Sequence, residues 1–361
     1  MSTTPAMLAL VTDAFGGRGG IAQYNRDFLG ALAQAGLASI TVLPRHTPDS
    51  AVPPQSIRQM PARPGRAAYS VAALRIALFQ SVNVVFCGHL FMASLAAEVA
   101  RLKGAKLILQ THGIEAWSRP SRMQRAALEQ ADLVLCVSRY TRAAVLSWAA
   151  IAPERALVVP NTVREAFTPG DGSTWRRTLG GGKQILLTVG RTDSRERYKG
   201  QDRVIAIISD LVAKGHDICY VVVGEGDDRS RLQALARNAG VSDRVRFLGA
   251  QELPSLIETY RAADLFVMPS TGEGFGVSFL EAMASGTTAI GLDVAGARDA
   301  LADGELGTVV AETELSAAIA RLLSRPKPDP LGLADAVHAR FGRKLFAKNA
   351  RNAWDRLMET A

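Results

Sequence analysis

The sequence is poor in cysteine and has no long apolar run. Its three cysteines, Cys87, Cys136 and Cys219, are far apart and lack the spacing of a metal site, so they indicate buried free thiols in a reducing compartment. No stretch reaches the ~18 uninterrupted apolar residues of a membrane span. The start of the chain lacks the basic segment of a signal peptide. These absences predict a cytoplasmic protein.

Acidic residues are scarce in the first part of the chain. Residues 1–160 contain 8 Asp and Glu against 16 Lys and Arg, whereas residues 161–361 contain 26 of each. A one-sided basic field predicts an anionic partner for the first part. No basic stretch is interleaved with aromatic residues, and no sequence motif of a known nucleic-acid-binding domain is present. We therefore expect that nucleic acid is not a partner. An anionic membrane surface is the favoured partner, and a basic surface without a partner is the alternative.

Apolar strand patterns alternate with amphipathic helical patterns through most of the chain, which predicts an α/β protein with parallel sheets. A Gly-rich stretch with one proline, residues 163–184, divides the pattern and is interpreted as a linker. The length and the division predict two doubly wound domains, 1–163 and 164–344. Residues 343–359 have the pattern of an amphipathic helix. Ligands of such sheets bind at the carboxyl ends of the strands, so we look for sites there.

The most informative segment is STGEGFGVSFLEAMASG, residues 270–286, which follows the strand pattern DLFVMPS. Its pattern predicts a strand, a glycine-rich loop and a helix, with Glu273 in the loop and Glu281 on the helix. Backbone N–H groups at the helix start form an anion site, and two carboxylates beside it accept hydrogen bonds from hydroxyls. An anion flanked by hydroxyls describes a sugar nucleotide. The loop residues predicted to approach this ligand are Gly274, Phe275, Gly276 and Val277.

This segment resembles the paired-glutamate signature of the retaining glycosyltransferases of family 4, which have the GT-B fold. The resemblance implies that Glu273 contacts the transferred sugar and Glu281 the ribose. It implies two Rossmann-like domains facing across a cleft, with an acceptor-side domain at 1–163 and a donor-binding domain at 164–344. It also implies that a closing helix at about 345–361 crosses back to the first domain.

A second segment, VGRTDSRERYKG, places Arg191 after a strand and Lys199 at the opening of the next helix. An arginine can bind a phosphate through two parallel hydrogen bonds, and a lysine adds a compact positive charge, so this pair suits a diphosphate. The resemblance implies that this pair neutralises the leaving diphosphate during catalysis. The spacing is longer than the commonest family form, so Arg195 or Arg197 is an alternative for one partner. No Asp-x-Asp occurs in the sequence, and we expect no metal and no cofactor.

Two further residues follow strands in the order that the family shows. His112 ends the stretch LILQTH, and the resemblance implies that it meets the hydroxyls of the donor sugar during catalysis. The stretch RVRFLG, near Arg246, corresponds to the backbone that reads the nucleotide base.

The opening loop supports a second interpretation of the protein, as one that binds a dinucleotide. Gly17, Gly19 and Ala22 follow a strand with the spacing of a dinucleotide fingerprint, G-x-G-x-x-G/A. The second strand ends at Arg45 without a carboxylate, which leaves NADP open. An NADP site gives no role to the paired glutamates, and the resemblance implies instead that Gly19 and Gly20 close on the diphosphate and acceptor.

Together these patterns predict a retaining, metal-independent hexosyltransferase using a UDP- or GDP-linked sugar. The basic first part and the absent signal sequence favour a lipid-linked glycan acceptor at the inner face of the cytoplasmic membrane, with a soluble acceptor as the alternative. Exopolysaccharide, capsule or lipopolysaccharide assembly is the expected setting. Two alternatives remain, a sugar-nucleotide epimerase of the same fold and an NADP-dependent oxidoreductase.

Overall fold

The computed structural model describes residues 4–46 and 52–359. The chain forms two compact units, unit 1 with residues 1–162 and 344–361, and unit 2 with residues 163–343. Residues 1–3, and the last two residues of the predicted closing helix, lie outside the described residues. The helix itself spans Arg343–Glu359 and buries Phe346, Ala353 and Trp354 on one side, as its amphipathic pattern predicts.

Unit 1 is built on a parallel sheet of seven strands in the order β3-β2-β1-β4-β5-β6-β7. The strands are β1 Ala6–Val11, β2 Ser39–Pro44, β3 Ile57–Gln59, β4 Val84–Cys87, β5 Lys106–Thr111, β6 Leu133–Cys136 and β7 Ala156–Val158. The helices are α1 Gly20–Gln34, α2 Arg66–Phe79, α3 Ala93–Lys103, α4 Ile114–Trp117, α5 Arg122–Gln130 and α6 Arg139–Trp148, and α15 Arg343–Glu359 ends the chain.

Unit 2 is built on a parallel sheet of six strands in the order β10-β9-β8-β11-β12-β13. The strands are β8 Gln184–Val189, β9 Ile218–Val223, β10 Val245–Gly249, β11 Leu265–Met268, β12 Ala289–Leu292 and β13 Thr308–Val310. The helices are α7 Ser173–Gly180, α8 Gln201–Ala213, α9 Arg229–Asn238, α10 Leu253–Ala262, α11 Val277–Ala284, α12 Ala297–Ala300, α13 Leu315–Leu323 and α14 Pro330–Phe341.

The central strands form because their sequences are continuous apolar runs. All residues of β4, β6, β9, β11 and β12 are buried, as expected for parallel strands that are covered on both faces. In unit 1, α2, α3 and α5 pack their small and apolar side chains against one face of the sheet. In unit 2, α8 and α13 contribute to a separate core. The predicted α/β class with two Rossmann-like sheets is therefore confirmed.

Each sheet reverses its strand order at one point, and this position determines where ligands bind. The reversal lies between β1 and β4 in unit 1, and between β8 and β11 in unit 2. The loops at the carboxyl ends of these strand pairs diverge to opposite sides and leave a crevice. In unit 2 those loops are residues 190–200 and 269–276, which contain both motifs found in the sequence.

Two local expectations were wrong. The predicted linker at 163–184 is part of unit 2: it contains α7, and Phe167 within it is fully buried against the Tyr260 ring. Its glycines suggested a flexible connection, but Gly172 makes a close approach to the backbone of Arg261. The short strand β3 was missed because three residues give too little periodicity.

Within the described residues, no helix is both long and apolar enough to cross a membrane.

Candidate functional site

Three of the predicted site residues lie at the carboxyl edge of the unit 2 sheet, at its reversal point. Arg191 and Lys199 follow β8, and Glu273 follows the neighbouring strand β11. The Lys199 Nζ atom lies 3.6 Å from a carboxylate oxygen of Glu273 and 3.9 Å from one of Glu196. The Arg191 guanidinium pairs with the other oxygen of Glu196. The edge thus carries two cations and two carboxylates in mutual contact.

The segment Ser194–Lys199, a short 3-10 helix, carries Lys199 to this position. At its start, Ser194 donates hydrogen bonds from its backbone N and its hydroxyl to the carboxylate of Asp227, at 2.6 and 2.8 Å. The Asp193 carboxylate accepts from the backbone N of Arg195 at 2.9 Å. The segment ends at Lys199, and α8 begins two residues later, at Gln201. The prediction that Lys199 opens the helix was therefore wrong by two residues.

Gly200 fixes the end of the segment against β11. Its φ is +80°, a left-handed conformation that side chains other than glycine rarely adopt. A Cβ atom at this position would lie 2.4 Å from the carbonyl oxygen of Pro269, which follows β11. A glycine is therefore required for the backbone after Lys199 to pack on the end of the neighbouring strand.

The two cations differ in how freely they can move. The Lys199 side chain is 14% exposed and its Nζ atom lies 5.6 Å from the centre of the Tyr198 ring. The Arg191 side chain is 70% exposed. Lys199 is thus held by packing, whereas the Arg191 guanidinium lies at the surface and can change partners.

The glycine-rich loop after β11 brings Glu273 and the start of α11 together. The backbone N of Gly296 donates to the carbonyl oxygen of Glu273 at 2.9 Å, which anchors the loop. Gly276, with φ +99°, is the N-cap of α11, and no side chain caps this helix. The N–H groups of the first residues of an uncapped helix can bind an anion. The N–H of Phe279 already donates to the Gly276 carbonyl oxygen at 3.0 Å. Gly274 and Phe275 lie in the same turn, as predicted.

Glu281 is buried and held from two sides. One carboxylate oxygen accepts from the Tyr260 hydroxyl at 2.9 Å, and the other lies 3.4 Å from an Arg164 guanidinium nitrogen. Burial raises the pKa of Glu281, while Arg164 and the Tyr260 hydroxyl act in the opposite direction. A carboxylate oxygen has two lone pairs, so each oxygen of Glu281 can accept one further hydrogen bond.

The other three arginines named in the sequence analysis have partners of their own. Arg246 lies near the amino end of β10, and its side chain donates to the carbonyl oxygen of Thr178 on α7 at 3.1 Å. That the backbone near Arg246 contacts the nucleotide base stays a prediction. Ligands bind at carboxyl ends of strands, and the carboxyl end of β10 is Gly249. Arg195 pairs with Asp193 and Arg197 with Asp228, as Arg191 pairs with Glu196. That Arg195 or Arg197 takes the place of one partner in the Arg191–Lys199 pair stays a prediction.

In unit 1, the reversal point carries the opening glycine loop and His112. Gly19 is the N-cap of α1, which begins at Gly20. His112 follows β5, and its Nε2 atom lies 2.9 Å from the carbonyl oxygen of Gly88 at the end of β4. Because a carbonyl only accepts, the neutral ring carries its hydrogen on Nε2 and its Nδ1 atom remains an acceptor. Burial lowers the pKa of His112, which favours this neutral form.

A second histidine lies beside His112, and the sequence reasoning assigned it no function. His89 is buried, its ring centre lies 5.8 Å from that of His112, and its Nδ1 atom accepts from the backbone N of Phe91 at 3.2 Å. Burial lowers its pKa to about 4, with His112 lowering it further and Glu115 opposing. The signal available in the sequence was its position directly after β4, which borders the reversal point.

Among the residues described by the structure, no group of three or more His, Cys, Asp and Glu side chains could hold a metal ion. The acidic residues at the unit 2 edge are instead interleaved with Arg191 and Lys199.

Comparisons with known proteins now give the family. The model for glycosyl transferases group 1 matches residues 174–333, and the model for glycosyltransferase family 4 matches residues 18–167. A mannosyltransferase of Mycolicibacterium smegmatis is 31% identical over 269 residues, 68% of each chain. The chain belongs to glycosyltransferase family 4. The M. smegmatis enzyme is described as GDP-mannose-dependent alpha-(1-6)-phosphatidylinositol monomannoside mannosyltransferase.

Other relatives of this glycosyltransferase are matched over a shorter part. A D-inositol 3-phosphate glycosyltransferase of Geodermatophilus obscurus is 37% identical over 226 residues, 58% of this chain and 46% of that protein. The chain therefore spans about half the length of several of its curated relatives.

Solved structures of glycosyltransferases share the fold over nearly the whole chain. Sucrose-phosphate synthase from Thermosynechococcus elongatus has a TM-score of 0.81 at 23% identity, over 98% of this chain and 100% of that one. HepE from Anabaena, solved with UDP and glucose, has a TM-score of 0.76 at 17% identity, over 97% and 99%. These likenesses establish the GT-B fold. Family membership identifies a glycosyltransferase rather than the epimerase or oxidoreductase left open above.

Three residues of the unit 2 edge were missed in the sequence, namely Glu196, Tyr260 and Arg164. Glu196 stands in the lengthened stretch between Arg191 and Lys199, and this extra length was the available signal. Tyr260 and Arg164 lie on other elements and contact Glu281 only in the folded chain. No local pattern could identify them.

Proposed function

We propose that this family 4 enzyme is a retaining, metal-independent hexosyltransferase whose donor is a UDP- or GDP-linked sugar. The observation that carries the proposal is the contact of Lys199 with Glu273, beside Arg191, at the reversal point of the unit 2 sheet. This edge is where open α/β sheets bind nucleotides. Cations there suit a diphosphate, and a carboxylate next to them suits the hydroxyls of the sugar.

The parts of the donor are assigned to separate groups of unit 2. Arg191, Lys199 and the start of α11 would bind the diphosphate, and Glu273 the transferred hexose. Glu281 would accept the two ribose hydroxyls, because each of its oxygens retains a free lone pair. In unit 1, the Nδ1 atom of His112 would accept a hydrogen bond from a sugar hydroxyl, and the loop at Gly19 and Gly20 would contact substrate.

For the reaction we propose same-face substitution without a covalent intermediate. The leaving diphosphate accepts the proton of the acceptor hydroxyl as the new glycosidic bond forms on the face from which it departs. The protein then contributes orientation and stabilisation of the negative charge that develops on the diphosphate. Lys199 is suited to that task because packing fixes its position.

The experiment that tests this function is Glu273→Gln. We expect transfer and slow donor hydrolysis to fall at least about 100-fold, while nucleoside diphosphate binds at least as tightly as before. The sugar loses its hydrogen-bond acceptor, whereas Arg191 and Lys199 keep their phosphate contacts and Lys199 loses a paired carboxylate. Activity is measured with UDP- and GDP-sugars in EDTA, and binding by calorimetry. Proton NMR of the first product follows the anomeric configuration. Unchanged turnover in the variant, or an inverted product, would contradict the proposal.

We further propose a lipid-linked glycan as the acceptor, in exopolysaccharide, capsule or lipopolysaccharide assembly at the inner face of the cytoplasmic membrane. The name of the M. smegmatis relative, with its phosphatidylinositol monomannoside acceptor and GDP-mannose donor, supports a lipid acceptor and makes GDP-mannose the first donor to test. Purified lipid-linked and free glycans of the same sequence, compared as acceptors, distinguish a requirement for the lipid.

The outer face of α2 supports a membrane partner. The helix buries Tyr69 and Ala73, yet its opposite face exposes Val71 at 65%, Leu78 at 73% and Phe79 at 80%. A surface helix normally carries polar residues there. Residues 50–97 contain four arginines and no Asp or Glu. Apolar side chains within an acid-free basic segment suit the surface of an anionic bilayer.

Flotation with vesicles tests this surface. The full chain should rise with phosphatidylcholine vesicles that contain phosphatidylglycerol, and less with phosphatidylcholine alone. The double variant Leu78→Ser, Phe79→Ser should lose most of this binding, because it removes the apolar anchor. Leu331→Ser is the matched control, since Leu331 is 65% exposed but belongs to unit 2. Flotation that is indifferent to anionic lipid would argue against the membrane surface.

A further inference from the structure

Glu196 lies between the two cations that the proposed function assigns to the diphosphate. Its carboxylate pairs with the Arg191 guanidinium through one oxygen, and the other oxygen lies 3.9 Å from Lys199 Nζ. The side chain is only 12% exposed. The oxygen facing Lys199 is buried and receives no hydrogen bond from the described residues. A protein carboxylate thus faces the same two cations as the proposed diphosphate.

The charges of this cluster determine what a diphosphate must displace when it binds. Arg191 and Lys199 are balanced by Glu196 and Glu273, so the edge is electrically neutral without a ligand. A diphosphate that enters must compete with a carboxylate that is already paired. Removing the charge of Glu196 would leave one uncompensated cation at a partly buried site, where charge interactions are stronger than in water.

The backbone of the segment does not depend on this carboxylate. Ser194 is held by Asp227, and the backbone N of Arg195 by Asp193. Gly200 packs on Pro269 at the other end. The Glu196 carboxylate can therefore change partners without unfolding the segment that carries Lys199.

We propose that Glu196 is an internal competitor of the donor diphosphate, which pairs with Arg191 in the empty enzyme and releases it to the ligand. The inference rests on the proposed function of Arg191 and Lys199. The exchange takes place at Arg191, because its side chain is largely exposed while Lys199 is fixed by packing. Glu196 stays beside Lys199 after the exchange, so no buried charge is left alone. Its effect is to weaken the binding of nucleoside diphosphate, the product that must leave.

The test is calorimetric binding of GDP, UDP and inorganic pyrophosphate to the full chain and to Glu196→Gln. We expect the variant to bind the preferred nucleoside diphosphate and pyrophosphate about five- to tenfold more tightly, with the free nucleoside unchanged, because the competitor acts on the phosphates only. Product inhibition by the same nucleoside diphosphate should strengthen by a similar factor. Glu312→Gln is the control, since it removes one charge from a pair with Arg203 away from this cluster.

A failure of the competitor role and a failure of the proposed function give different results. If the unaltered chain binds no nucleoside diphosphate, the proposed function fails. If the unaltered chain binds one and Glu196→Gln binds it equally or more weakly while remaining folded, the competitor role is overturned. Should Glu196→Gln fail to fold, Glu196→Asp serves instead. Its shorter side chain weakens the contact with Arg191, so tighter binding supports the role and unchanged binding refutes it.

Discussion

Glu281 shows how a single side chain of the site is set by its neighbours. The Tyr260 hydroxyl and the Arg164 guanidinium approach different carboxylate oxygens, so the carboxylate cannot rotate freely. Tyr260 is fully buried and its own ring packs against Phe167 and Phe266. We therefore expect Tyr260 to act as a positioning residue, through Glu281, for the ribose that the proposed function places there.

Replacing Tyr260 by Phe should weaken binding of the preferred nucleoside diphosphate about tenfold, because Glu281 loses the donor that orients it. Binding of inorganic pyrophosphate, which has no ribose, should be unchanged. The hydroxyl also holds down the pKa of Glu281, so the loss of nucleotide binding on acidification should move to higher pH in the variant. Calorimetry across pH measures both effects.

The control for that experiment is Tyr220→Phe. The Tyr220 hydroxyl is likewise buried and donates to Thr188 at 2.9 Å, but it does not contact Glu281. If the two variants lose nucleotide affinity equally, or if pyrophosphate binding falls as well, Tyr260 is only a stabilising residue.

At the scale of the element, the loop after β8 depends on its docking to the end of β11. Gly200→Ala should lower the free energy of unfolding by about 2–4 kcal/mol, because φ +80° is strained for alanine and the new Cβ would clash with the Pro269 carbonyl. Nucleoside diphosphate binding should fall too, since Lys199 precedes this glycine. Urea unfolding and calorimetry measure the two effects.

Gly215→Ala separates strain from clash. Gly215 has φ +91° but faces open space, so alanine there should cost only the strain, about 1 kcal/mol, and leave binding intact. Equal destabilisation by both alanines would mean that docking on β11 contributes nothing.

The elements themselves were largely predictable from the sequence. Of the thirteen strands in the part of the chain that the structure describes, twelve correspond to predicted apolar runs, since a parallel strand covered on both faces needs a continuous apolar sequence. The helix α7 was mistaken for a linker because TPGDGSTWRRTLGGG is rich in turn residues. Burial of Phe167 and Leu179 incorporates this stretch into unit 2, and that burial involves residues distant in the sequence.

At the scale of the whole molecule, the buried histidines of unit 1 make stability depend on pH. Burial lowers the pKa of His89 to about 4, below its unfolded value. A depressed pKa gives stability that is complete above the unfolded pKa of about 6.5 and is lost as pH falls through 4. Between these values His89 should remove up to about 3 kcal/mol from the free energy of unfolding. His112 acts in the same direction.

Urea unfolding at pH 7, 5.5 and 4.5 measures this dependence, with His89→Asn as the comparison. An Asn side chain can still accept from the backbone N of Phe91 but does not titrate in this range. The difference in stability between the two proteins should shrink as pH falls. A constant difference would show that His89 titrates normally in the folded chain.

Local patterns were enough to predict the class of fold and to indicate the family, and they led to a hypothesis about the residues of the site. Strand and helix patterns are local, and the paired glutamates of STGEGFGVSFLEAMASG lie within one strand-loop-helix unit. Both signals can therefore be recognised without knowledge of the rest of the chain. The tertiary structure decided which side chains meet. Lys199 reaches Glu273 because β8 and β11, distant in sequence, are neighbours at the reversal of the sheet. Packing likewise brings the Tyr260 hydroxyl to Glu281, and it places the Arg246 side chain on α7.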